Sequence, residues 1–406
     1  MIGDADVPFI APRMDKIETT ASSAMTQRAR ELVASGVDVV ALTQGQPDFE
    51  TPEHVKQAAI EAMHSGDTKY TLVSGTPAMK EAIVEKFRRE NGLMYGLDQV
   101  IAGTGGKQII YDAMMATIQP GDEVIIPAPY WMTYADIIGL FGGVPVIVQC
   151  SPANNYKLSP GQLEEAITPR TKWLFLNSPN NPSGATINRS EMKALTDVLM
   201  RHPDVYVLSD DMYEHIVFDD LEFVTPAQVE PGLYARTLTL NGVSKAYSMT
   251  GWRLGYAGGP ASLISVMAKA QLQSTGNPSS ISQAAAVAAL NGPQDFVVER
   301  TREFQERRDL IVGLLNQATG LKCHRPEGAF YAYPDCRALM GKKTPEAKII
   351  ETDADLAMYF LESHGVALVH GAAYDVSPHI RISFATSTEN LIEAGNRIQR
   401  ACAALT

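Results

Sequence analysis

Cysteine is scarce in this chain. Four of its 406 residues are cysteine (Cys150, Cys323, Cys336 and Cys402), and no two form a CxxC pair. That excludes a disulfide-dense scaffold and a thiolate metal knuckle, and leaves reduced thiols in a cytoplasm as the expected state. Long apolar runs are missing as well: no stretch reaches the roughly 18 uninterrupted apolar residues of a membrane span, so no membrane partner is expected. Basic blocks are absent, and the formal net charge is −12, which argues against nucleic acid as a partner. The opening MIGDADVPFI is acidic and broken by proline, unlike a secretory leader. Neither a repeat nor a low-complexity tract interrupts the chain.

What is there is an ordinary globular composition, 45% hydrophobic and 20% charged, over a length that suits two domains. Helix punctuation is clear in two places. Residues 51–66 run from Thr51 and Pro52 to Gly66, and residues 76–92 from Thr76 and Pro77 to Gly92. Each has a cap, an early proline and a terminal glycine. In the second, Met79, Ile83 and Phe87 share a face.

Short apolar runs at 123–126, 144–148, 172–176, 205–208, 237–240 and 253–257 then alternate with helical patterns near 107–118, 131–141, 160–167 and 189–201. Strands separated by helices predict an α/β fold, a mostly parallel sheet covered on both faces. After Gly292 a helical stretch (294–318) leads to GAFYAYPD, a helical 353–364, GVALVHG and HIRISFA. This reads as a smaller α+β unit. The expected division is a large domain at 51–292 and a small one at 293–406, joined by residues 1–50.

In parallel sheets, ligands gather at the carboxyl ends of the strands. The run 172–176 ends in NSPNNPSG, with Asn177, Asn180 and Asn181; the run 205–208 ends in SDDMYEH, with Asp210, Asp211 and Tyr213. The next delivers Ser244 and Lys245, and the last opens on Arg253. Upstream, IAGTGGKQ sets Gly103, Gly105 and Gly106 before a helix, an arrangement that can cradle phosphate on backbone N–H groups. Singly, each has a bland reading: Asn and Pro make turns, an acidic pair caps a segment, and a loop lysine is solvated. Together they suit a phosphorylated pyridine aldehyde. A lysine amine forms a Schiff base with the aldehyde, and a carboxylate keeps the ring nitrogen protonated. A phenol and an amide tune the ring oxygen, and an arginine fork holds phosphate. A dehydrogenase would not need the lysine, and GVSKA lacks the second glycine of a serine-hydrolase elbow.

SK followed by GWRLGY (244–256), N-P-S-G (181–184) and D-x-x-Y (210–213) resemble the aspartate aminotransferase family, class I pyridoxal-phosphate enzymes of fold type I. PAPYW (127–131), KYTLVSGTPAMKEAI (69–83), GQPDF (45–49), PEGAFYAYPD (326–335) and RISFA (381–385) match it in order. The resemblance spans nearly the whole chain and is strongest to the bacterial branch of aspartate, aromatic and prephenate aminotransferases. It implies pyridoxal 5'-phosphate bound to Lys245, Asp210 on the pyridine nitrogen, and Asn181 and Tyr213 on the ring oxygen. It further implies Arg253 and the Gly105–Gly106–Lys107 backbone on the phosphate with Ser244 as a helper, and Trp131 stacked on the ring. Arg381, aided by the Gly45 backbone, would bind the substrate α-carboxylate, and Asn181, Trp131 and Lys107 would also face substrate. Tyr70 would reach the phosphate of a neighbouring subunit, making a homodimer with shared sites.

Two departures stand out. Gln46 replaces the glutamate of AGEPDF relatives, and Glu18 stands where relatives active on prephenate carry lysine. The expected substrates are an L-amino acid and a 2-oxo acid, with aspartate and glutamate favoured by Lys107. Trp131, Tyr134 and Tyr331 offer room for an aromatic side chain. The rival readings are a β-lyase on the same scaffold and a non-enzymatic ligand-sensing regulator. The second would carry an N-terminal DNA-binding domain, for which about fifty residues leave little room.

Overall fold

The computed structural model describes residues 9–17 and 21–406; Glu18 lies outside them. A seven-stranded sheet is built from β1 (Val100–Gly103), β2 (Glu123–Ala128), β3 (Val144–Gln149), β4 (Thr171–Asn177), β5 (Tyr206–Asp210), β6 (Thr237–Gly242) and β7 (Gly255–Gly258). Their order is β1-β7-β6-β5-β4-β2-β3. β7 is antiparallel to β1 and β6, and the remaining pairs are parallel. Val207, Leu208, Leu238 and Leu240 are wholly buried, as expected where helices cover both faces of a central strand.

The sequence pattern foresaw six of these strands and missed β1, a four-residue VIAG run too short to announce itself. β7 starts two residues later than expected. Arg253 itself adopts φ 51, a left-handed conformation that closes the turn Thr250–Trp252 rather than opening a strand.

The helix Pro77–Asn91 follows its expected grammar. Thr76 accepts from the Met79 N–H at 3.1 Å, and Gly92 terminates it at φ 65; Met79, Ile83 and Phe87 are fully buried. Thr51 does not cap the helix Glu53–His64. The N-cap is Pro52, and the Thr51 hydroxyl instead donates to the Ser248 carbonyl at 2.8 Å while accepting from Trp252 Nε1 at 3.0 Å. Its partners tie the chain to the loop that follows Lys245.

A second core gathers chain ends that are remote in sequence. Met25, Ala29 and Leu42 pack with Phe304, Ile311, Leu356, Phe360 and Ile398. Val40–Ala41 pairs in parallel with Val366–Ala367. A three-stranded antiparallel sheet runs in the order Val369–His370, Ile380–Ser383, Tyr331–Ala332. Among the described residues no helix is long and apolar enough to cross a membrane.

Candidate active site

The carboxyl ends of β4, β5 and β6 open into a cleft of about 1060 Å³. Its wall includes Gly45, Gly106, Lys107, Trp131, Asn181, Asp210, Tyr213, Ser244, Lys245, Arg253 and Arg381. These residues span more than three hundred positions of sequence, and the sheet topology is what assembles them.

Lys245 follows β6, and its Nζ donates to the Gly45 carbonyl at 2.5 Å. Burial, then the Arg253 and Arg381 charges, push its ammonium down to about 8 against the opposing pull of Asp210. Such a lysine is partly neutral near physiological pH, as a nucleophile or base must be. Asp210 closes β5 and is buried. Burial raises its pKa, while Tyr134, the Met212 N–H and Lys245 pull it back. The Tyr134 hydroxyl donates to Asp210 Oδ2 at 2.5 Å, and Asn177 Nδ2 holds the Asp210 carbonyl at 2.9 Å. Tyr134, 2% exposed, lines the cleft and supports Asp210 from its wall. Sequence reasoning missed this role, because a tyrosine on an apolar helix face carries no mark of its partner.

Asp211 turns away from the cleft. It is buried and accepts from Ser209 Oγ at 2.6 Å, so of the acidic pair only Asp210 lines the cavity. Asn180 is structural, donating to the Pro129 carbonyl at 3.2 Å. Gln46 accepts from Thr250 Oγ1 at 3.1 Å, which answers its departure from the family pattern.

At the cleft's edge stands the start of the helix Gly106–Thr117, with Gly106 and Lys107 in the wall and no side chain capping it, an arrangement that leaves N–H groups for an anion. Gly105 is required there. Its φ is +83, and a Cβ would lie 2.5 Å from Arg253 Nη2. Ser244 is buried beside Lys245. Lys107 lies 4.9 Å from the Trp131 ring centroid; burial and Arg253 lower its pKa, and Asp136 opposes them.

Arg381, 4% exposed, donates to Asn181 Oδ1 at 3.1 Å and to the Thr43 carbonyl at 2.5 Å, while its Nε has no partner. Among the described residues no carboxylate pairs with it. A buried guanidinium without an anion calls for one from outside. The same donor set fits pyridoxal 5'-phosphate: a glycine cradle with an arginine for phosphate, a lysine of lowered pKa, and a buried carboxylate. Tyr70 is not brought to this cleft; it stands 99% exposed.

Comparison with known proteins agrees. The family "Aminotransferase class I and II" matches residues 37–398. A probable aspartate/prephenate aminotransferase of Rhizobium leguminosarum bv. phaseoli is 56% identical, over 98% of this chain and 99% of its own. The aspartate aminotransferase structure from Rhizobium meliloti superposes with a TM-score of 0.95 at 55% identity, covering 98% of this chain and 99% of that one. The aspartate aminotransferase of Thermus thermophilus, solved with maleate, gives 0.90 at 41%, covering 97% and 100%. The fold is therefore that of the fold type I enzymes, and the chain belongs to the class I and II aminotransferases as a pyridoxal 5'-phosphate-dependent transaminase.

Proposed function

We propose that the chain moves the amino group of a dicarboxylic L-amino acid, aspartate or glutamate, to a 2-oxo acid in two successive half-reactions. The observation that carries this reading is the pairing, in one cleft, of a lysine of lowered pKa with a buried arginine that has no carboxylate of its own. Arg381 would take the substrate α-carboxylate as a bidentate pair, steadied by Asn181 and the Gly45 backbone. When bound, pyridoxal 5'-phosphate supplies an electron sink for the bond broken at the α-carbon. Asp210 would keep the ring nitrogen protonated. Asn181 spends its oxygen on Arg381, so its amide N–H groups remain free to serve the ring oxygen beside Tyr213. Gly105, Gly106, Lys107 and Arg253 would hold the phosphate with Ser244, and Trp131 would lie against the ring. Lys245, once its amine is free, would take the α-proton and return it on the opposite atom.

Lys107 in the wall supports a second substrate carboxylate. So does the dicarboxylate maleate in the Thermus structure. The relatives' names add prephenate as a candidate acceptor. A panel of donors against 2-oxoglutarate, oxaloacetate, phenylpyruvate and prephenate tests the reading. Stoichiometric new amino acid is expected; release of ammonia or sulfide would favour a β-lyase and sink it.

The wider organisation is part of the proposal. Residues 51–292 would form the large domain, and 293–406 with 1–50 the small one, a division supported by the second core. Tyr70 and Leu72, 99% and 62% exposed on a loop between two helices, support a homodimer with Tyr70 reaching the neighbour's phosphate. Mixing inactive Tyr70→Ala with inactive Lys245→Ala should then regain activity in heterodimers; none after verified exchange argues for self-contained sites. Four buried, unpaired cysteines support a cytoplasmic home.

A further inference from the structure

Tyr331 is left without a task by these assignments, yet it sits among the groups that have one. Its side chain is 1% exposed, and its hydroxyl lies 3.0 Å from that of Tyr213. Among the described residues it makes no other hydrogen bond. A Cβ on Gly45 would fall 2.5 Å from this hydroxyl, so glycine at 45 is what lets the phenol occupy the spot. The ring face carries the Arg381 guanidinium at 4.7 Å. Strand register explains the contact: Tyr331 pairs with Ser383, two residues from Arg381 and on the same side of the sheet.

A phenol has one proton to give. If Tyr213 gave its proton to Tyr331, none would remain for the ring oxygen of the cofactor. The groups around Tyr213 are Asp210, Tyr331 and Arg381, with Lys245 Nζ 6.0 Å from its ring. Arg381 lies against Tyr331, and an adjacent cation makes a phenol the more willing donor. The 3.0 Å contact is compatible with either hydroxyl as donor, and the Arg381 guanidinium against the Tyr331 ring favours Tyr331 in that role. A donor that itself accepts a hydrogen bond is polarised and strengthened.

We propose that Tyr331 is a positioning residue with two separable tasks. Its hydroxyl donates to Tyr213 Oη and thereby commits the Tyr213 proton to the cofactor's ring oxygen, while its ring face holds the Arg381 guanidinium in plane for the substrate carboxylate. The inference rests on the assignment of Tyr213 to the ring oxygen, and the test separates the two.

The measurement is the pH midpoint of the bound cofactor's visible absorbance in the holoenzyme, with KM for aspartate measured alongside. A weaker donor to the ring oxygen leaves more electron density to hold a proton on the Lys245 linkage, so the midpoint should rise. Tyr331→Phe keeps the ring and loses the hydroxyl. Its midpoint should rise by about 0.4–1 pH unit, the equivalent of one hydrogen bond, with KM near that of the parent. Tyr331→Leu removes both features and should add an increase in KM of about fivefold or more. Tyr213→Phe should also raise the midpoint, and adding Tyr331→Phe to it should raise it no further.

A raised midpoint in Tyr213→Phe with none in Tyr331→Phe overturns the coupling and leaves the Tyr213 assignment standing. An unmoved midpoint in both overturns that assignment and this inference with it. Equal KM values in Tyr331→Phe and Tyr331→Leu overturn the task at Arg381.

Discussion

Lys86 and Lys245 are both lysines set beside buried carboxylates, and the fold provides for them in opposite ways. Lys86, on the helix Pro77–Asn91, is wholly buried and ion-paired with Glu214; Glu90 lies 3.6 Å away, and Asn91 Oδ1 accepts at 2.8 Å. Asn91 Nδ2 in turn donates to Glu214 Oε2 at 2.9 Å, and His215 Nε2 meets Glu90 Oε2 at 2.9 Å. Burial pushes the Glu90 carboxyl up, but His215, Lys86 and Arg89 hold it at about 2. Every charge in that cluster has an opposite within reach. Lys245 has the Gly45 carbonyl as its hydrogen-bond partner, and the charges of Arg253 and Arg381 each outweigh the one nearby carboxylate, Asp210. A buried charge fully partnered by its own chain does structural work; one left short of partners is kept for a ligand.

The sharpest way to break this comparison is to make the same substitution at both lysines. Lys245→Met should fold and lose turnover by about 10⁴-fold or more, since both the covalent anchor and the base are gone. Borohydride reduction and peptide mapping of the parent should label Lys245, and a label on another lysine would refute the assignment. Cofactor-free Lys245→Met should also be more stable than the cofactor-free parent at pH 7, by about 1–3 kcal/mol. The sign follows from the lowered pKa. Between about 8 and the ordinary 10.5 the unfolded chain binds more protons than the folded one, so the parent gains stability as pH rises through that window. Thermal melts should show the advantage shrinking from pH 8 to 10.5; a constant gap would count against a buried-charge origin.

The acidic pair gives the next largest effect. Asp210→Asn should lower kcat by about 10²–10³-fold, as loss of a fixed electrostatic partner does, because a neutral amide cannot hold the ring nitrogen protonated. Asp211→Asn should leave turnover far closer to the parent, since its carboxylate faces Ser209 and lies outside the cleft. Steady-state rates on the two variants decide, and equal losses would remove Asp210 from its assigned place.

At the other lysine the prediction inverts. Lys86→Met should destabilise the protein by about 3–5 kcal/mol, because Glu214 stays buried without its lysine while Glu90 keeps only Arg89 and His215. Adding Glu214→Gln should recover part of that loss. Urea unfolding measures both. A Lys86→Met variant as stable as the parent would mean that the network is not the fully paired structural unit described.

What could be read in advance divides along the same line. That Lys245, Asp210, Asn181, Arg253 and Arg381 come together in one cleft was legible, because strand-end placement and family motifs single them out before any contact is known. Lys86 was not. It reads as one solvated lysine in a charged helix, and its partner Glu214 is 128 positions away in sequence. The role of Tyr134 was missed for a related reason: its burial and its bond to Asp210 arise only once the helix Thr133–Leu140 packs against the sheet. Secondary structure was legible where periodicity was long, as in Asp295–Gln317 and Asp353–His364, both found within a residue of expectation. It failed where the run was too short, at β1, and where tertiary geometry overrode local pattern, at Arg253 and at Thr51.

The smallest effect tests the reading of the substrate. Lys107 begins the helix beside the glycine cradle, and its Nζ lies over Trp131, in the cleft rather than behind it. It has two possible duties there, to neutralise the phosphate or to attract the distal carboxylate of a dicarboxylic substrate. The two differ in what they ask of the substrate. A phosphate contact acts on every amino acid alike, whereas a contact to the distal carboxylate is made by aspartate and not by phenylalanine. Lys107→Ala should therefore lower kcat/KM for aspartate more than for phenylalanine, with a difference of about 1–3 kcal/mol, the range of a hydrogen bond to a charged group. The effect should weaken as salt is raised, because Lys107 sits at an open edge where ions screen it. Equal losses on both substrates would give Lys107 to the cofactor alone and withdraw its support for a dicarboxylic substrate.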